Sequence, residues 1–526
     1  MADQRSILWV DDEIDLLRPH IKLLEAKGYD VETVTNGEDA LTMVDRKSFD
    51  LIFLDESMVG MGGLETLAGI KEKDANTPVV MVTKNEAESV MEQAIGRRIS
   101  DYLTKPVNPT QILLVCKKFL EGKQIAKDYA QQDYIKEFNQ LAMKLMGPMD
   151  WREWTELYAR LAEWELEFDR HRDIGLEQTL NDQKRDANSE FGKFIEENYR
   201  DWIAMEKDDP ERPTLSPDIV DKYIVPKLQE DSGPVFLFVV DCLRLDQWLV
   251  MEDLLADYYA ITKDYYISIL PTATTYARNA IFAGLFPSEI EKHYPDLWTG
   301  DGKDDDHSQN KYEKELLDKL LERRRVKLRT GVRYVKIIDT DFGRKIESEI
   351  LDYAQSQMSA IVVNAVDMMA HSRSDYPILK EIAPDESAYR SLTRSWFEHS
   401  SLFGMLRTLA ESVPNARIVL TTDHGAIRCL RGTKALGDRE TSTNLRYKFG
   451  RNVKVDEKHA IYVKNPADFR LPRRGPAIEY VLAKEDYYFV YPTDYHYYLN
   501  HYRDSFQHGG ISMEEMILPV IELRAR

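Results

Sequence analysis

Five short apolar runs lie within the first 105 residues, and four of them break off at side chains suited to a cation or an oxyanion. Ser6–Val10 runs into Asp11 and Asp12, Asp50–Leu54 into Asp55, Pro78–Val82 into Thr83, and Asp101–Leu103 leads to Lys105 and Pro106; Asp30–Val34 is the fifth. Amphipathic helical patterns separate them at Asp15–Lys27, Gly37–Arg46, Leu64–Lys73 and near Glu86–Ile95, and Pro109–Leu120 follows. Strands alternating with helices at this spacing predict a doubly wound parallel α/β sheet. Side chains at the carboxyl ends of its strands then converge on one pocket.

The chemistry of that pocket follows from its residue types. Asp11, Asp12 and Asp55 suit Mg²⁺, a hard ion that takes oxygen ligands and keeps several waters. Lys105 can neutralise phosphoryl oxygens and Thr83 can hydrogen-bond one of them. The Lys105-Pro106 step predicts a cis bond that aims the lysine inward. A single Asp at a strand end is often only a helix cap, but these residues in this order are a far more specific signal. The constellation resembles the receiver family, a flavodoxin-like fold, over residues 5–120. That resemblance implies Asp55 as phosphoacceptor, Tyr102 as switch aromatic, a sensor histidine kinase as phosphodonor, and homodimerisation through the face at about 85–120.

We expect a receiver domain over 1–120, a helical bundle over 121–205, a linker over 206–232 marked by Pro210, Pro213 and Pro217, and a second α/β domain over 233–526. In the bundle, Trp151, Trp154, Tyr158 and Leu161 recur at helical spacing, which reads as core, with a ligand groove as the second reading. Tyr294–Arg325 is strongly charged and reads as an inserted cap or a solvated helix. The three cysteines are scattered, against a disulfide framework or a thiolate metal site and in keeping with a cytoplasmic protein. No run approaches the roughly 20 apolar residues of a membrane span, so membrane insertion is not expected. The net charge of −21 disfavours an electrostatic hold on nucleic acid.

In the C-terminal half apolar runs again end in potential ligands. Asp241 follows Val235–Val240; Asp367 and His371 follow Ile361–Val366; Asp423 and His424 follow Ile418–Thr422; His508 precedes Gly509 and Gly510. Asp367 and His371 are four apart, one face of a helix. Three carboxylates and three imidazoles without a thiolate suit Zn²⁺ or Mn²⁺. The pattern resembles the alkaline phosphatase superfamily, in particular its PglZ-like branch, over about 233–526.

That resemblance implies two zinc ions, one held by Asp367, His371 and His508, the other by Asp241, Asp423 and His424, with a threonine nucleophile between them. Thr272, directly after a strand and able to cap a helix, and Thr274, spaced from Gly284 as in phosphodiesterase relatives, both remain candidates. Arg278 and Asn279, one turn on, are candidates for holding phosphoryl oxygens. The order of the three segments resembles the PorX-like response regulators of type IX secretion. It implies a PorY-like kinase, a sigma factor and secretion components as partners, and a zinc-dependent phosphodiesterase acting on a diester, with linear or cyclic oligonucleotides one option. The alternative is a phosphorylation-dependent scaffold with a structural metal site. The tyrosines from Tyr487 to Tyr498 would stack on bases in the first case, or form a packed edge.

Overall fold

The computed structural model describes residues 5–84, 99–171, 173–230, 232–298, 310–375, 377–438, 441–475 and 477–526. The helix expected near Glu86–Ile95, and with it the first part of the expected dimer face, lies outside these residues. The chain divides into two compact units, Met1–Asp133 and Tyr134–Arg526. No helix among the described residues is long and apolar enough to cross a membrane.

The first unit is built on β1 (Ser6–Val10), β2 (Asp30–Val34), β3 (Leu51–Asp55), β4 (Val79–Thr83) and β5 (Asp101–Thr104), in the order β2-β1-β3-β4-β5. All neighbours are parallel. β1, β3 and β4 are buried along their whole length because both sheet faces are covered, which is why they read as unbroken apolar runs. Ile7, Trp9 and Phe53 pack under Leu24, Ile112 and Val115 on one face. Leu8, Val10 and Leu54 pack with Ala40, Leu67 and Ile70 on the other. Asp55 and Thr83 are the last residues of their strands rather than the first beyond them. The Lys105-Pro106 bond is cis.

The second unit carries a six-stranded sheet made of β6 (Val235–Val240), β7 (Tyr259–Ile267), β8 (Arg333–Ile337), β9 (Met358–Val363), β10 (Arg417–Thr421) and the C-terminal strand Ile517–Ala525. Its order is β7, C-terminal strand, β10, β6, β9, β8. β10, β6, β9 and β8 run parallel, whereas the C-terminal strand is antiparallel to both β10 and β7. The parallel strands put Asp241, the helix after β9 and Asp423 at one carboxyl edge.

Helices Trp151–Arg170 and Ile174–Ala204, and the end of helix Gly122–Leu145, belong to this second unit. Asp150 and Glu153 close a capping box at the start of helix Trp151–Arg170. The aromatic stripe faces inward: Trp154, Tyr158 and Leu161 are buried, and they share one continuous core with β6. The proline-marked stretch is built into the same core, with Leu215, Ile219 and Ile224 fully buried.

Candidate metal centre and receiver pocket

Asp241 leaves β6 and Asp423-His424 leave β10, and because these strands are neighbours their turns meet. Cys242, next to Asp241, has φ 65°, a conformation disfavoured for a residue with a side chain and held here by its surroundings. The Cys242 N–H lies 3.4 Å from Asp423 Oδ1, and the Leu243 N–H donates to Thr422 Oγ1 at 3.0 Å. Asp367 and His371 project from helix Ala365–Asp375, one turn apart. His508 follows Ser505–Gln507, which pairs antiparallel with Ile427–Cys429 and so returns beside the Asp423-His424 turn. Gly509 turns the chain at φ 115°, where a Cβ would strike the Tyr447 ring.

The six side chains form two groups, Asp241 with Asp423 and His424, and Asp367 with His371 and His508, each with ligand atoms within 4.8 Å of one another. His424 Nε2 lies 3.7 Å from Asp241 Oδ1 and 3.8 Å from Asp423 Oδ2. Asp367 Oδ1 lies 3.3 Å from His371 Nε2 and 3.7 Å from His508 Nε2, and the two imidazole nitrogens are 3.3 Å apart. The rings of His424 and His508 stack at 4.1 Å, so the groups are adjacent. Asp241 Oδ1, Asp423 Oδ2 and Asp367 Oδ1 are buried without a hydrogen-bond partner. Orphaned carboxylate oxygens facing imidazole nitrogens are what a divalent transition metal would satisfy, so the residues fit zinc or manganese. The other ring nitrogens face backbone carbonyls, His508 Nδ1 that of Thr272 at 3.3 Å and His424 Nδ1 that of Gly425 at 3.1 Å, which leaves Nε2 to point inward.

Electrostatics separate the two groups. Burial, with Asp241 beside it, pushes the Asp423 carboxyl well above the usual range, against the pull of Arg278. Burial also works against ionisation of Asp367, but the facing His371, His508 and His424 overcome it and hold its carboxyl low. Burial raises the Cys242 thiol, so the nearest sulfur offers no thiolate ligand.

Thr272 and Thr274 have different surroundings. The Thr272 hydroxyl donates to the Gly510 carbonyl at 2.7 Å and accepts from the Gly509 N–H at 3.1 Å, so both its roles are taken by backbone. The expectation that Thr272 caps the helix is corrected: the cap position is Ala273, and helix Thr274–Ala283 has no side-chain cap. Thr274 Oγ1 lies 2.9 Å from His424 Nε2 at the first position of that helix. Arg278, fully buried, binds Asp241 Oδ2 at 2.5 Å and Glu313 Oε1 at 2.7 Å, and its Nη2 has no partner. Asn279 donates to the Thr275 carbonyl and accepts from Asn310, so its amide is engaged within the protein.

Of the two readings of Tyr294–Arg325, an inserted cap or a solvated helix, the solvated helix is corrected here. Glu313 is fully buried on Arg278, and Asn310 donates to the Thr274 carbonyl at 3.2 Å. Sequence reasoning also missed a buried ionic cluster behind the site, in which Lys184 meets Glu165 at 2.7 Å and Glu514 at 3.3 Å. Arg390 joins Glu165 at 3.3 Å and Asp246 at 3.2 Å, and Arg244 binds Asp246 at 2.9 Å. Glu165, Asp246 and Glu386 also lie close enough to hold an ion, but these three cations already balance them.

In the first unit Asp11, Asp12 and Asp55 converge, with Asp11 and Asp55 buried and Asp12 exposed. Lys105 Nζ lies 2.9 Å from Asp11 Oδ2 and 2.8 Å from Asp55 Oδ2. Burial raises the Asp55 carboxyl, and the hydrogen bond from Lys105 opposes this. Thr83 donates to the Glu56 carboxylate, and Tyr102 is 44% exposed, an outward position for an aromatic.

Comparison with known proteins matches three segments of the chain, the middle one spanning the boundary between the two units. The family model of the BREX system PglZ alkaline phosphatase-like domain matches residues 219–523, more than half of the chain. The response regulator receiver domain matches 7–117, and the PorX response regulator linker domain matches 124–203. The alginate biosynthesis transcriptional regulatory protein AlgB of Pseudomonas putida is 38% identical over 124 residues, 24% of this chain and 28% of that protein. The transcriptional regulatory protein ResD of Bacillus subtilis is 34% identical over 119 residues, 23% of this chain and 49% of that protein. The chain thus spans only about a quarter to a half of these relatives. Among solved structures, the Vibrio cholerae chemotaxis protein CheY4 is 28% identical over 22% of this chain and 100% of that one, with a TM-score of 0.22.

Proposed function

The chain belongs to the PglZ alkaline phosphatase-like family, preceded by a receiver domain and a PorX-type linker, and on that premise we propose that this response regulator controls the zinc-dependent hydrolysis of a phosphodiester. The observation that carries this reading is Thr274 Oγ1 at 2.9 Å from His424 Nε2, beside two carboxylates with orphaned oxygens. Asp367, His371 and His508 would hold one zinc, and Asp241, Asp423 and His424 the other. When bound, the two ions supply positive charge that favours the alkoxide of a hydroxyl and the charge building on phosphoryl oxygens.

The rest is done by the chain itself. Thr274 presents Oγ1 at a helix N-terminus, where amides and the helix dipole favour an anionic ligand. Attack of Oγ1 on phosphorus forms a phosphoester on Thr274 as the first alcohol leaves, and attack by water then frees the threonine. Arg278 is held to Asp241 and Glu313, which fixes one oxygen of Asp241 and leaves the other facing His424. Thr272 serves by fixing the Gly509-Gly510 turn that presents His508.

The diester preference and a role in type IX secretion rest on resemblance to relatives with a threonine nucleophile and to PorX-like regulators. Asp55, reached by Lys105, takes the phosphoryl group, which a histidine kinase supplies. The test is turnover of bis-p-nitrophenyl phosphate and of p-nitrophenyl phosphate, with zinc and after chelation. Zinc-dependent cleavage of the diester that Asp241→Ala abolishes is the expected result. Zinc binding without turnover of either ester would favour the scaffold reading, with a sigma factor or secretion component as partner.

A further inference from the structure

Helices Gly122–Leu145, Trp151–Arg170 and Ile174–Ala204 form the connector between the receiver and the metal centre, and they leave a trough between them. Phe138, Ala142 and Leu145, spaced three or four residues apart along one helix, form with Met146 just beyond its end one wall of a cavity of about 800 Å³. Thr179, Asp182, Asp186 and Glu190, on helix Ile174–Ala204, form the other. Leu145 and Glu190 also line a second cavity of about 620 Å³, which continues over Trp151, Trp154, Phe194 and Trp202. The two cavities therefore follow one helix from Thr179 to Trp202, roughly 35 Å at 1.5 Å per residue.

The trough's lining mixes aromatic and aliphatic side chains with polar ones, and Met146 at its edge is 89% exposed. Methionine side chains adapt to more than one partner shape. Trp151 Nε1 is buried in this region without a hydrogen-bond partner. The described lining is mostly acidic: Asp150, Asp182, Asp186, Glu190, Glu197 and Glu211 face it with Lys193, and although Arg152, Arg185 and Lys193 pair with Asp150, Asp182 and Glu190, acidic groups remain in excess.

We propose that the connector is a docking site for one amphipathic helix of a partner protein, apolar along one face and bearing lysine or arginine along both edges of that face. Anchors at i, i+3, i+4 and i+7 would enter the trough while the basic edges meet the acidic rims. This site is independent of the hydrolytic reading, since none of its residues belongs to the metal centre.

The experiment uses the full-length protein and a fluorescein-labelled 20-residue peptide with leucine at i, i+3, i+4 and i+7 and lysine elsewhere, beside an isomer of scrambled order. The periodic peptide is expected to bind at least tenfold more tightly than the scrambled one at physiological salt. Met146→Glu, and separately the pair Asp186→Lys and Glu190→Lys, should each weaken it at least tenfold without moving the melting temperature. Amide hydrogen exchange should slow at 138–146 and 186–202. Equal binding of both peptides, indifference to these substitutions, or protection elsewhere overturns the proposal. A protein dimer that Met146→Glu dissolves would assign the trough to a second copy and overturn it equally.

Discussion

Lys184 Nζ sits 3.3 Å from Oε1 of Glu514, so a helix of the connector is bonded to the segment that follows His508. The same ammonium meets Glu165 at 2.7 Å, and Asn188, one turn on, donates to the other oxygen of Glu514 at 2.9 Å. All of this is buried. A charge removed from such a cluster leaves its partner stranded away from water. Lys184→Met should therefore cost about 3–5 kcal/mol of stability and weaken zinc retention. Chemical unfolding with parallel metal analysis checks this, and an unchanged unfolding midpoint would refute it.

The two threonines should separate cleanly. Thr274→Val removes the hydroxyl beside His424 and should lower kcat by at least a hundredfold with zinc content intact. Thr272→Val strands the Gly510 carbonyl and the Gly509 N–H, and should cost about 1–3 kcal/mol of stability with far less loss of kcat. The reverse pattern in steady-state kinetics would assign the nucleophile to Thr272.

Each triad should account for one metal ion. Asp241→Ala and His508→Ala should each retain about half the zinc of the parent protein by elemental analysis after exhaustive dialysis. Full zinc content in either variant would exclude that side chain as a ligand.

Lys448 makes a pH prediction. Burial pushes its ammonium from the ordinary 10.5 down to about 7, with the Ser442 carbonyl at 3.0 Å and the Tyr491 ring at 4.2 Å as its company. Between those two pH values the unfolded chain holds a proton that the folded chain does not, so this group makes stability rise with pH across that window. Below pH 7 both states are protonated and the full penalty applies. Lys448→Met should flatten the slope above pH 7 and stabilise the protein at lower pH by a few kcal/mol, on the order set by the shift. Unfolding midpoints from pH 6 to 10 decide it.

In the receiver, Asp55→Asn should abolish phosphoryl uptake from acetyl phosphate, read by phosphate-affinity electrophoresis. Lys105→Met removes the cation within 3 Å of both carboxylates and should release the Asp55 carboxyl to titrate still higher. Sedimentation with and without beryllofluoride tests dimerisation; a monomer throughout would refute it.

That Asp241, Asp367 and Asp423 would meet was legible because each ends an apolar run, and a run that stops at a ligand marks the carboxyl edge of a parallel sheet; the grouping into two triads, with His508 after no such run, came from the resemblance to the alkaline phosphatase superfamily. Which threonine hydroxyl faces His424 was not legible, because Thr272 is held by the Gly510 carbonyl more than 200 residues away while Thr274 meets His424. Glu313 hid in a charged stretch, yet Leu316, Leu317, Leu320 and Leu321 in the same helix mark a buried face that would have exposed it. Lys184 looked like one more charge on a long polar helix, although it shares a face with Leu180, Ala187 and Phe191. The antiparallel direction of the last strand leaves no trace in ILPVIELRA, since burial on both faces gives the same apolar run either way.

That last strand lies inside the sheet, with β7 on one side and β10 on the other. During synthesis β7 leaves the ribosome about 250 residues before its partner and must wait as an unpaired ribbon. β10, β6 and β9 are made before the last strand and pair with one another, whereas β7 joins the sheet only through Ile517–Ala525. A chain cut short of this strand would therefore leave β7 and β10 without the partner they share, and His508 without the strand that anchors the segment after it.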